Sequence, residues 1–331
     1  MHIPDNYLSP STCAVMTAAM VPVWVISAGR VKAQLPKAKI PMMGVGGALS
    51  FLGMMFNIPL PGGTTGHAVG GTLIAVVLGP YAACISISSA LFLQALIFGD
   101  GGILSFGANC FNMAFVLPFT GYAVYSVLKR QLKGGRGRLI AAGIGSYIGI
   151  NAAAFCAAIE FGIQPMLFRD SAGNAMYCPY GLSIAVPAVM IGHLTVFGAA
   201  EVIYTTAVLA FVRRTSASEA AEPEMHGKGS KGSRAVKYLL LALIALTPLG
   251  LLAEGTAWGE WGADEIASTG AGFVPAGIRK GFSFEAFLPD YSAAGFPGWF
   301  GYLLSAVLGV SALVILFRLI GELCKKKVQT V

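Results

Sequence analysis

The chain has 331 residues, of which 56% are hydrophobic and only 11% are charged. Soluble domains carry about one quarter charged residues, so this composition excludes an ordinary soluble protein and predicts an all-α polytopic membrane protein. The net charge of +7 does not indicate nucleic-acid binding, because the basic residues flank apolar segments. The sequence has no Walker A, HExxH or GxSxG motif, so we expect neither an enzyme of those classes nor ATP binding by that route.

Apolar segments of about 20 residues recur along the chain and predict membrane spans. The first follows a polar start without a basic region, so we do not expect a cleaved signal peptide. The third and fourth are separated by Gly79-Pro80, a natural break between helices. The sequence predicts nine spans, near residues 9–29, 41–57, 67–79, 81–98, 107–128, 139–161, 183–212, 238–254 and 298–318.

The distribution of Lys and Arg predicts the orientation. Of the 22 Lys and Arg, all except Arg169, Arg279 and Lys280 follow odd-numbered spans. The positive-inside rule therefore predicts an N-terminus outside the cell and a C-terminus in the cytoplasm. Both His2 and His67 then lie at the outer face.

A change in composition divides the chain into two units. Residues 213–236 are rich in small and charged residues, which predicts a flexible cytoplasmic linker. Residues 1–212 then form a seven-span unit, here called the N-terminal unit. Residues 237–331 form a two-span unit with a large outer loop at 255–297, here called the C-terminal unit.

The start of the chain offers an unusual set of metal donors. With histidine at position two, the Met1 amine, the His2 amide nitrogen and the His2 ring Nδ1 can bind one ion. A second imidazole, that of His67, would complete a plane of four nitrogens, which favours Ni(II) or Cu(II). Alternatively, each histidine is an ordinary residue with local hydrogen bonds. Proline and glycine at 59–66 predict a re-entrant, non-helical loop before His67.

Polar side chains inside the following apolar segments are candidate pocket residues. Buried amides are costly in a membrane and are usually paired, so they either join helices or orient the N-terminal loop and His67. Asp100 is expected outside, where it could attract cations or simply be solvated. The candidates are Thr64, Thr65, Gln94, Asp100, Asn109 and Asn112.

Span seven carries two further polar residues, His193 and Glu201, which share a broad helix face. We expect both to lie too deep and too cytoplasmic to join an outer site, and Glu201 to have a structural or coupling role. On span one, Ala14 and Ala18 have the four-residue spacing that lets another helix approach closely.

These motifs resemble those of a known family. The sequences MHIPD at residues 1–5, PGGTTGHAVGG at 61–71 and LQALIFGDGG at 93–102 resemble the nickel/cobalt substrate-binding subunit of energy-coupling factor transporters. The segments TPLGLL at 247–252, AWGEW at 257–261, VPAG at 274–277 and LPDY at 288–291 resemble the small accessory subunit, or PDGLE-type domain, of the same systems. One departure is Asn6, where the family usually has glycine.

The resemblance implies a transport subunit rather than an enzyme. It implies that Ni(II) or Co(II) is the transported substrate, with no organic cofactor, and that Met1, His2 and His67 bind the ion. It also implies docking of a transmembrane coupling subunit on Ala14 and Ala18, with Glu201 a further candidate for partner docking. A pair of cytoplasmic ATPases would drive the transporter in the cell membrane of a prokaryote.

Two other functions remain open from the residues alone. One is a proton-coupled metal permease that acts without ATPases and uses His193 and Glu201 as its relay. The other is a membrane enzyme with an intramembrane His/Glu site, although no nucleophile or metal triad accompanies these two residues.

Overall fold

The structure is a computed structural model that describes residues 1–60, 64–220, 231–253 and 255–329. Within these ranges the chain is almost entirely helical, with one small hairpin of β1 Ile58–Leu60 and β2 Thr64–Gly66. The helices are α1 Pro10–Gln34, α2 Ile40–Met55, α3 Gly71–Leu78, α4 Pro80–Leu93, α5 Phe106–Asn109, α6 Leu117–Gln131, α7 Gly134–Gly162, α8 Gln164–Leu167, α9 Leu182–Gly192, α10 Gly198–Ala220, α11 Lys231–Leu246, α12 Ala263–Ile266, α13 Ala276–Lys280 and α14 Gly298–Gln329.

Proline and serine set several helix starts. Ser9 caps α1, accepting a hydrogen bond from the Thr12 N–H at 3.0 Å. Proline stands in the first turn of α2, α4 and α6, where no N–H partner is needed. Three π-helical turns extend or join the longer helices, and such turns are often found at functional sites. They span Gln94–Phe98, Cys110–Val116 and His193–Phe197.

Eight helical segments in the described part of the chain are long and apolar enough to cross a membrane. This confirms the predicted all-α polytopic class. The predicted span 67–79 is wrong as a full helix, because only α3, with 8 residues, is helical there. It begins after Gly70, with φ 71°, and ends at Gly79 with Pro80 following. At 1.5 Å per residue, α3 is only about 12 Å long.

The predicted flexible linker at 213–236 lies partly outside the described residues, which omit 221–230. On either side of that gap the chain is helical, because α10 continues to Ala220 and α11 begins at Lys231. The two helices therefore extend further into the polar segment than its composition indicated.

The C-terminal unit packs directly on the N-terminal unit through α14 and α2. Small residues make the close approach of these helices feasible. Gly309 of α14 lies against the Phe51 ring, and Gly44 of α2 lies against the backbone of α14 at Leu313. The C-terminal unit therefore packs as part of the same helix bundle as the N-terminal unit.

The outer loop at 255–297 covers the start of the chain. Its Gly277 N–H donates to Met176 O at 2.8 Å, and its Leu288 N–H donates to Ile97 O at 2.8 Å. Trp258 packs its ring edge-on against Phe161 at 5.9 Å. Glu260 of the loop also lies 3.1 Å from the Met1 amine, so the loop lies beside the predicted metal ligands.

Candidate metal centre

The first residues form a buried loop fixed by the N-terminal unit. The Ile3 N–H donates to Asn109 Oδ1 at 2.8 Å, and Asn109 Nδ2 donates back to Ile3 O at 3.0 Å. Ser105 Oγ and the Gly102 N–H donate to the same Ile3 carbonyl. Asn109, which was predicted as a pocket residue, therefore acts on the backbone next to His2.

A tight turn follows at Asp5 and Asn6. The Asp5 carboxylate accepts hydrogen bonds from the N–H groups of Leu104 at 2.8 Å and Ile103 at 3.1 Å. Burial raises the pKa of Asp5, and these N–H groups oppose that effect. Asn6 has φ 68°, a left-handed conformation that asparagine tolerates better than most residues.

The two predicted histidine ligands meet at the centre of this loop. His2 Nδ1 and His67 Nε2 lie 3.1 Å apart, and both side chains are buried. His67 Nδ1 faces Ala68 O at 3.3 Å, an interaction that places the proton on Nδ1 and leaves a lone pair on Nε2. The two ring nitrogens are therefore close enough to share one ion.

Both imidazoles are neutral in this environment. Burial, aided by the nearby N-terminal ammonium, lowers the pKa of His2 to about 4. Burial likewise lowers the pKa of His67 well below its ordinary value, with the N-terminal ammonium and His2 adding to the effect. Neutral imidazole is the form that binds metals, so neither ring needs to lose a charge first.

The spacing of the two rings fits adjacent positions around one ion. Metal–nitrogen bonds of about 2 Å place neighbouring donors of a square plane about 2.8 Å apart, close to the observed 3.1 Å. In the described part of the chain, no group of three or more His, Cys, Asp or Glu side chains is arranged to hold a metal. Backbone donors from Met1 and His2 would therefore have to complete the ligand set.

The N-terminal amine already has a partner from the C-terminal unit. Its nitrogen lies 3.1 Å from Glu260 Oε1, and the Met1 side chain is almost fully buried. Two further bonds hold the same segment of the outer loop. Tyr7 Oη donates to Trp261 O at 2.8 Å, and the Trp258 N–H donates to Thr64 Oγ1 at 2.8 Å. Thr64 thus connects the hairpin to the outer loop.

A cleft of about 250 Å³ opens beside the two histidines, between the two units. Three carboxylates line it, which makes it favourable for a cation. They are Asp100, Glu260 and Asp290. Thr65, another predicted pocket residue, lines this cleft together with His2 and His67.

Gln94 and Asp100, both predicted pocket residues, form one hydrogen-bonded group beside His2. Asp100 Oδ1 lies 3.2 Å from His2 Nδ1, and Asp100 Oδ2 accepts a hydrogen bond from Gln94 Nε2 at 3.1 Å. Burial raises the pKa of Asp100, which the Tyr291 hydroxyl and the N-terminal ammonium oppose. Tyr291, from the C-terminal unit, donates to Asp100 Oδ2 and accepts from Gln94 Nε2 at 2.8 Å.

Asn112 lies elsewhere. Its side chain is buried and its Nδ2 donates to Glu160 Oε2 of α7 at 2.9 Å. It therefore pairs two helices, as the alternative reading of these amides predicted. On α1, Ala14 and Ala18 are exposed, so the face proposed for partner docking is free in the described chain.

His193 and Glu201 were expected too deep and too cytoplasmic to join the outer site, and the structure places both near the segment that carries His67. Glu201 is fully buried, and its Oε2 accepts hydrogen bonds from the Val69 N–H at 2.7 Å and the Gly70 N–H at 3.0 Å. His193 lines a small cavity together with Met1. The short helix α3 begins after the extended segment that carries His67, and its start lies within reach of the Glu201 carboxylate.

Glu201 was also a candidate for partner docking, but its side chain is fully buried and offers no surface to a partner. Its carboxylate faces the N-terminus of α3 in the interior, where it satisfies N–H groups that no helical carbonyl can reach. It holds the backbone two residues after His67.

Sequence reasoning missed Glu260 and Tyr291. Glu260 was one of several acidic residues in a loop, and Tyr291 was part of the LPDY segment, with no sign of what either touched. Their partners lie 259 and 191 residues away along the chain. Their position inside the short segments AWGEW and LPDY, which carry the resemblance, was the available signal.

Comparison with known proteins identifies the family. Residues 2–219 match the family described as the cobalt uptake substrate-specific transmembrane region, CbiM, and residues 233–326 match the PDGLE domain. Two fused proteins are similar over nearly their whole lengths. The probable fused nickel transport protein LarMN of Lactiplantibacillus plantarum is 46% identical over 325 residues, covering 96% of this chain and 97% of that protein. The fused nickel transport protein NikMN of Rhodobacter capsulatus is 47% identical over 336 residues, covering 95% of each.

A solved structure agrees with this assignment. The crystal structure of a truncated transition metal transporter is 52% identical, with a TM-score of 0.62, and the match covers 65% of this chain and 99% of that chain. The chain therefore belongs to the family of cobalt uptake substrate-specific transmembrane proteins and carries a PDGLE domain. This confirms the fusion that the sequence motifs indicated.

Proposed function

We propose that this member of the family is the substrate-binding membrane subunit of an energy-coupling factor transporter for Ni(II) or Co(II). Family membership supports a role in transition-metal uptake, and both fused relatives are named as nickel transport proteins. The multi-pass helical fold is suited to a subunit that receives the ion at one membrane face.

The observation that carries this proposal is the 3.1 Å separation of His2 Nδ1 and His67 Nε2, buried next to the N-terminal amine. The ion is bound by the Met1 amine, the His2 amide nitrogen, His2 Nδ1 and His67 Nε2. Two chelate rings from Met1 and His2 impose a plane, which favours Ni(II) over ions that prefer tetrahedral or oxygen-rich sites. Binding releases protons from the backbone donors.

The Met1 amine lies 3.1 Å from Glu260 Oε1. The amine must leave this carboxylate to bind the ion, while Glu260 remains near enough to offset the added positive charge. The cleft lined by Asp100 and Asp290 provides an entry for a hydrated cation from the outer side.

The energy for transport comes from partner subunits. We infer that a transmembrane coupling subunit docks on the exposed face of α1 at Ala14 and Ala18, and that a pair of ATPases in the cytoplasm of a prokaryote drives it. Both alanines are exposed and spaced for close helix packing.

A proton-coupled permease is less well supported. Its relay required Glu201, but this carboxylate is occupied by the backbone N–H groups of Val69 and Gly70. Removing that carboxylate would leave the start of α3 unpaired, so its position is explained without proton transport.

The test is metal content and the visible spectrum of the full-length protein with its free Met1 amine, after loading with Ni(II). We expect one ion and a planar d–d band, both lost in His67→Ala. The matched control is His193→Ala, which removes a neighbouring buried imidazole that is not a proposed ligand. Binding that is indifferent to His67 would refute the proposal.

A second variant tests the amine. An uncleaved N-terminal extension removes the free amine from Met1, and we expect it to lower Ni(II) affinity by more than the 10- to 100-fold that is typical of losing an outer-sphere partner. The same extension at the C-terminus is the control. Equal affinity of the two tagged proteins would exclude the amine as a ligand.

A further inference from the structure

Tyr291 of the C-terminal unit reaches into the N-terminal unit and is almost fully buried there. Its ring stacks on Phe98 at 5.0 Å and lies edge-on to Phe51 at 6.2 Å. The preceding Leu288 N–H donates to Ile97 O, which ties the segment to the π-helical turn Gln94–Phe98. The ring position is therefore fixed by apolar contacts that do not depend on the hydroxyl.

The backbone at this point is unusual. Asp290 and Tyr291 have φ of 51° and 58°, two consecutive residues in the left-handed region that non-glycine residues rarely adopt. Such conformations persist where surrounding contacts hold them, and they cluster at functional sites. The tyrosine is thus held in a conformation that its own backbone disfavours.

The Tyr291 hydroxyl belongs to a hydrogen-bond network in which each donor and acceptor can be assigned in only one way. The Asp100 carboxylate can only accept, so both Tyr291 Oη and Gln94 Nε2 donate to Asp100 Oδ2. Because Tyr291 uses its proton on Asp100, it accepts from Gln94 Nε2. The network therefore fixes the orientation of the Gln94 amide as well as one oxygen of Asp100.

Both fixed groups face His2. Asp100 Oδ1 lies 3.2 Å from His2 Nδ1, the nitrogen proposed to bind the ion. His2 Nε2 and Gln94 Oε1 are both buried, and neither has a hydrogen-bond partner among the described residues. When His2 binds through Nδ1, its proton moves to Nε2 and needs an acceptor, which is the role that outer-sphere groups usually fill for metal-bound histidine.

We propose that Tyr291 is a positioning residue for the metal centre: it holds Asp100 beside the bound ion rather than on it, and it keeps the Gln94 carbonyl turned toward His2. This inference rests on the proposed function. A carboxylate that was free to swing onto the ion would add an oxygen ligand, and oxygen donors suit five- or six-coordinate ions more than planar Ni(II). The C-terminal unit would thereby contribute to metal selectivity without supplying a ligand.

The test compares Tyr291→Phe with the full-length protein and uses Ni(II) and Zn(II) as probes. Phenylalanine keeps the ring contacts and removes only the hydroxyl. We expect Ni(II) affinity to fall by about 10- to 100-fold, the planar d–d band to weaken in favour of bands of higher coordination, and the preference for Ni(II) over Zn(II) to decrease.

Two further variants give the test its control and its rescue. Tyr302→Phe removes a neighbouring hydroxyl on the same cleft, which makes no hydrogen bond to Asp100 among those the structure describes, and should leave the spectrum unchanged. The double variant Tyr291→Phe with Asp100→Asn removes the mobile carboxylate, so the planar band and the Ni(II) preference should return. If Tyr291→Phe acted only by destabilising the fold, the added Asp100→Asn substitution would not restore the band.

The outcomes separate this inference from the proposed function. A wild-type protein without a planar Ni(II) band refutes the proposed function. A wild-type planar band that persists unchanged in Tyr291→Phe refutes only the role of Tyr291, as does an equal effect of Tyr302→Phe. If Tyr291→Phe lowers the unfolding temperature, the double variant decides, because the proposal requires Asp100→Asn to restore the planar band that Tyr291→Phe has weakened.

Discussion

Burial sets the protonation of the two imidazoles at the proposed metal centre. An exposed histidine has a pKa of about 6.5, so near that pH protons would compete with a metal ion for its ring nitrogen. Here, burial lowers the pKa of His2 to about 4 and the pKa of His67 well below its ordinary value. The protein thus keeps both ring nitrogens free of charge before an ion arrives.

This shift has a measurable consequence for the pH dependence of binding. Because a lowered pKa keeps His2 neutral above about pH 5, Ni(II) affinity should show no inflection near pH 6.5, and histidine protonation should weaken it only near pH 4 or below. Any loss between pH 5 and 7 then comes from the backbone donors. Equilibrium dialysis at a series of pH values from 4 to 7 measures the Ni(II) affinity.

A synthetic peptide of residues 1–5 is the matched control. It has the same donors from Met1 and His2, but its exposed imidazole should titrate near the ordinary value of about 6.5. An inflection near that pH in the full-length protein would show that the histidines are not buried as the structure has them.

Asn6 shows why one residue can depart from a family pattern without loss of the turn. Its φ of 68° is one that glycine adopts freely. Asparagine also has a side-chain amide, which can form hydrogen bonds that glycine cannot. Its Nδ2 donates to Phe282 O at 2.8 Å, and its Oδ1 accepts from the Phe282 N–H at 2.9 Å. In this fused chain the residue therefore turns the loop and also fastens the outer loop to it.

At the scale of elements, the short helix α3 depends on a carboxylate from another helix. Helix N-termini leave N–H groups unpaired and carry partial positive charge. Glu201 of α10 supplies two oxygens there, bonding the N–H groups of Val69 and Gly70. Because these residues lie two and three positions after His67, we expect the orientation of the His67 ring to depend on α10.

Substitution of Glu201 should therefore affect metal binding although Glu201 is not a ligand. Glu201→Ala leaves two buried N–H groups unpaired, at about 1–3 kcal/mol each, and we expect a lower unfolding temperature and a Ni(II) affinity reduced by about 10- to 100-fold. Glu201→Gln, which keeps one acceptor oxygen, should show a smaller loss. Thermal unfolding and dialysis provide the two measurements.

The control lies on the same helix. Thr206→Val removes a hydroxyl that bonds only within α10, to Val202 O at 2.7 Å, and should leave Ni(II) affinity unchanged. If Glu201→Ala bound Ni(II) as tightly as the wild type, the position of His67 would not depend on this carboxylate.

At the scale of the whole molecule, sequence patterns predicted the helical class and the pairing of His2 with His67. Apolar runs of membrane length are a strong signal, and the chelate chemistry of a histidine at position two is local to two residues. The failure at 67–79 has a local cause. Gly70 and Gly79 with Pro80 confine α3 to 8 residues, and an apolar extended segment cannot be told from helix by hydropathy alone.

The contacts between the two units could not be predicted in the same way. The ion pair between the Met1 amine and Glu260 joins residues 259 apart, and no periodicity encodes such a distance. The sequence placed both groups on the outer face, but which acid of the loop faces the amine depends on how α14 packs on α2. That packing and the bonds from Gly277 and Leu288 to the N-terminal unit together hold the outer loop.

One of the glycines at this contact between α14 and α2, Gly309, provides the last prediction. A methyl group at position 309 would collide with the Phe51 ring, and Phe51 in turn contacts Tyr291. We therefore expect Gly309→Ala to push α14 away from α2, at a cost of about 1–3 kcal/mol for overpacking. The unfolding temperature in detergent should fall, and the planar Ni(II) band should weaken because the Tyr291 hydroxyl moves away from Asp100.

Gly298→Ala is the matched control in the same helix, since a methyl group there would make only an ordinary contact with Leu251, at 3.7 Å. It should change neither the unfolding temperature nor the spectrum. If Gly309→Ala lowers the unfolding temperature and leaves the Ni(II) band intact, the C-terminal unit stabilises the bundle without positioning the metal centre. Loss of both together, with Gly298→Ala unchanged, means that the packing of α14 on α2 sets the geometry around His2 from the opposite end of the chain.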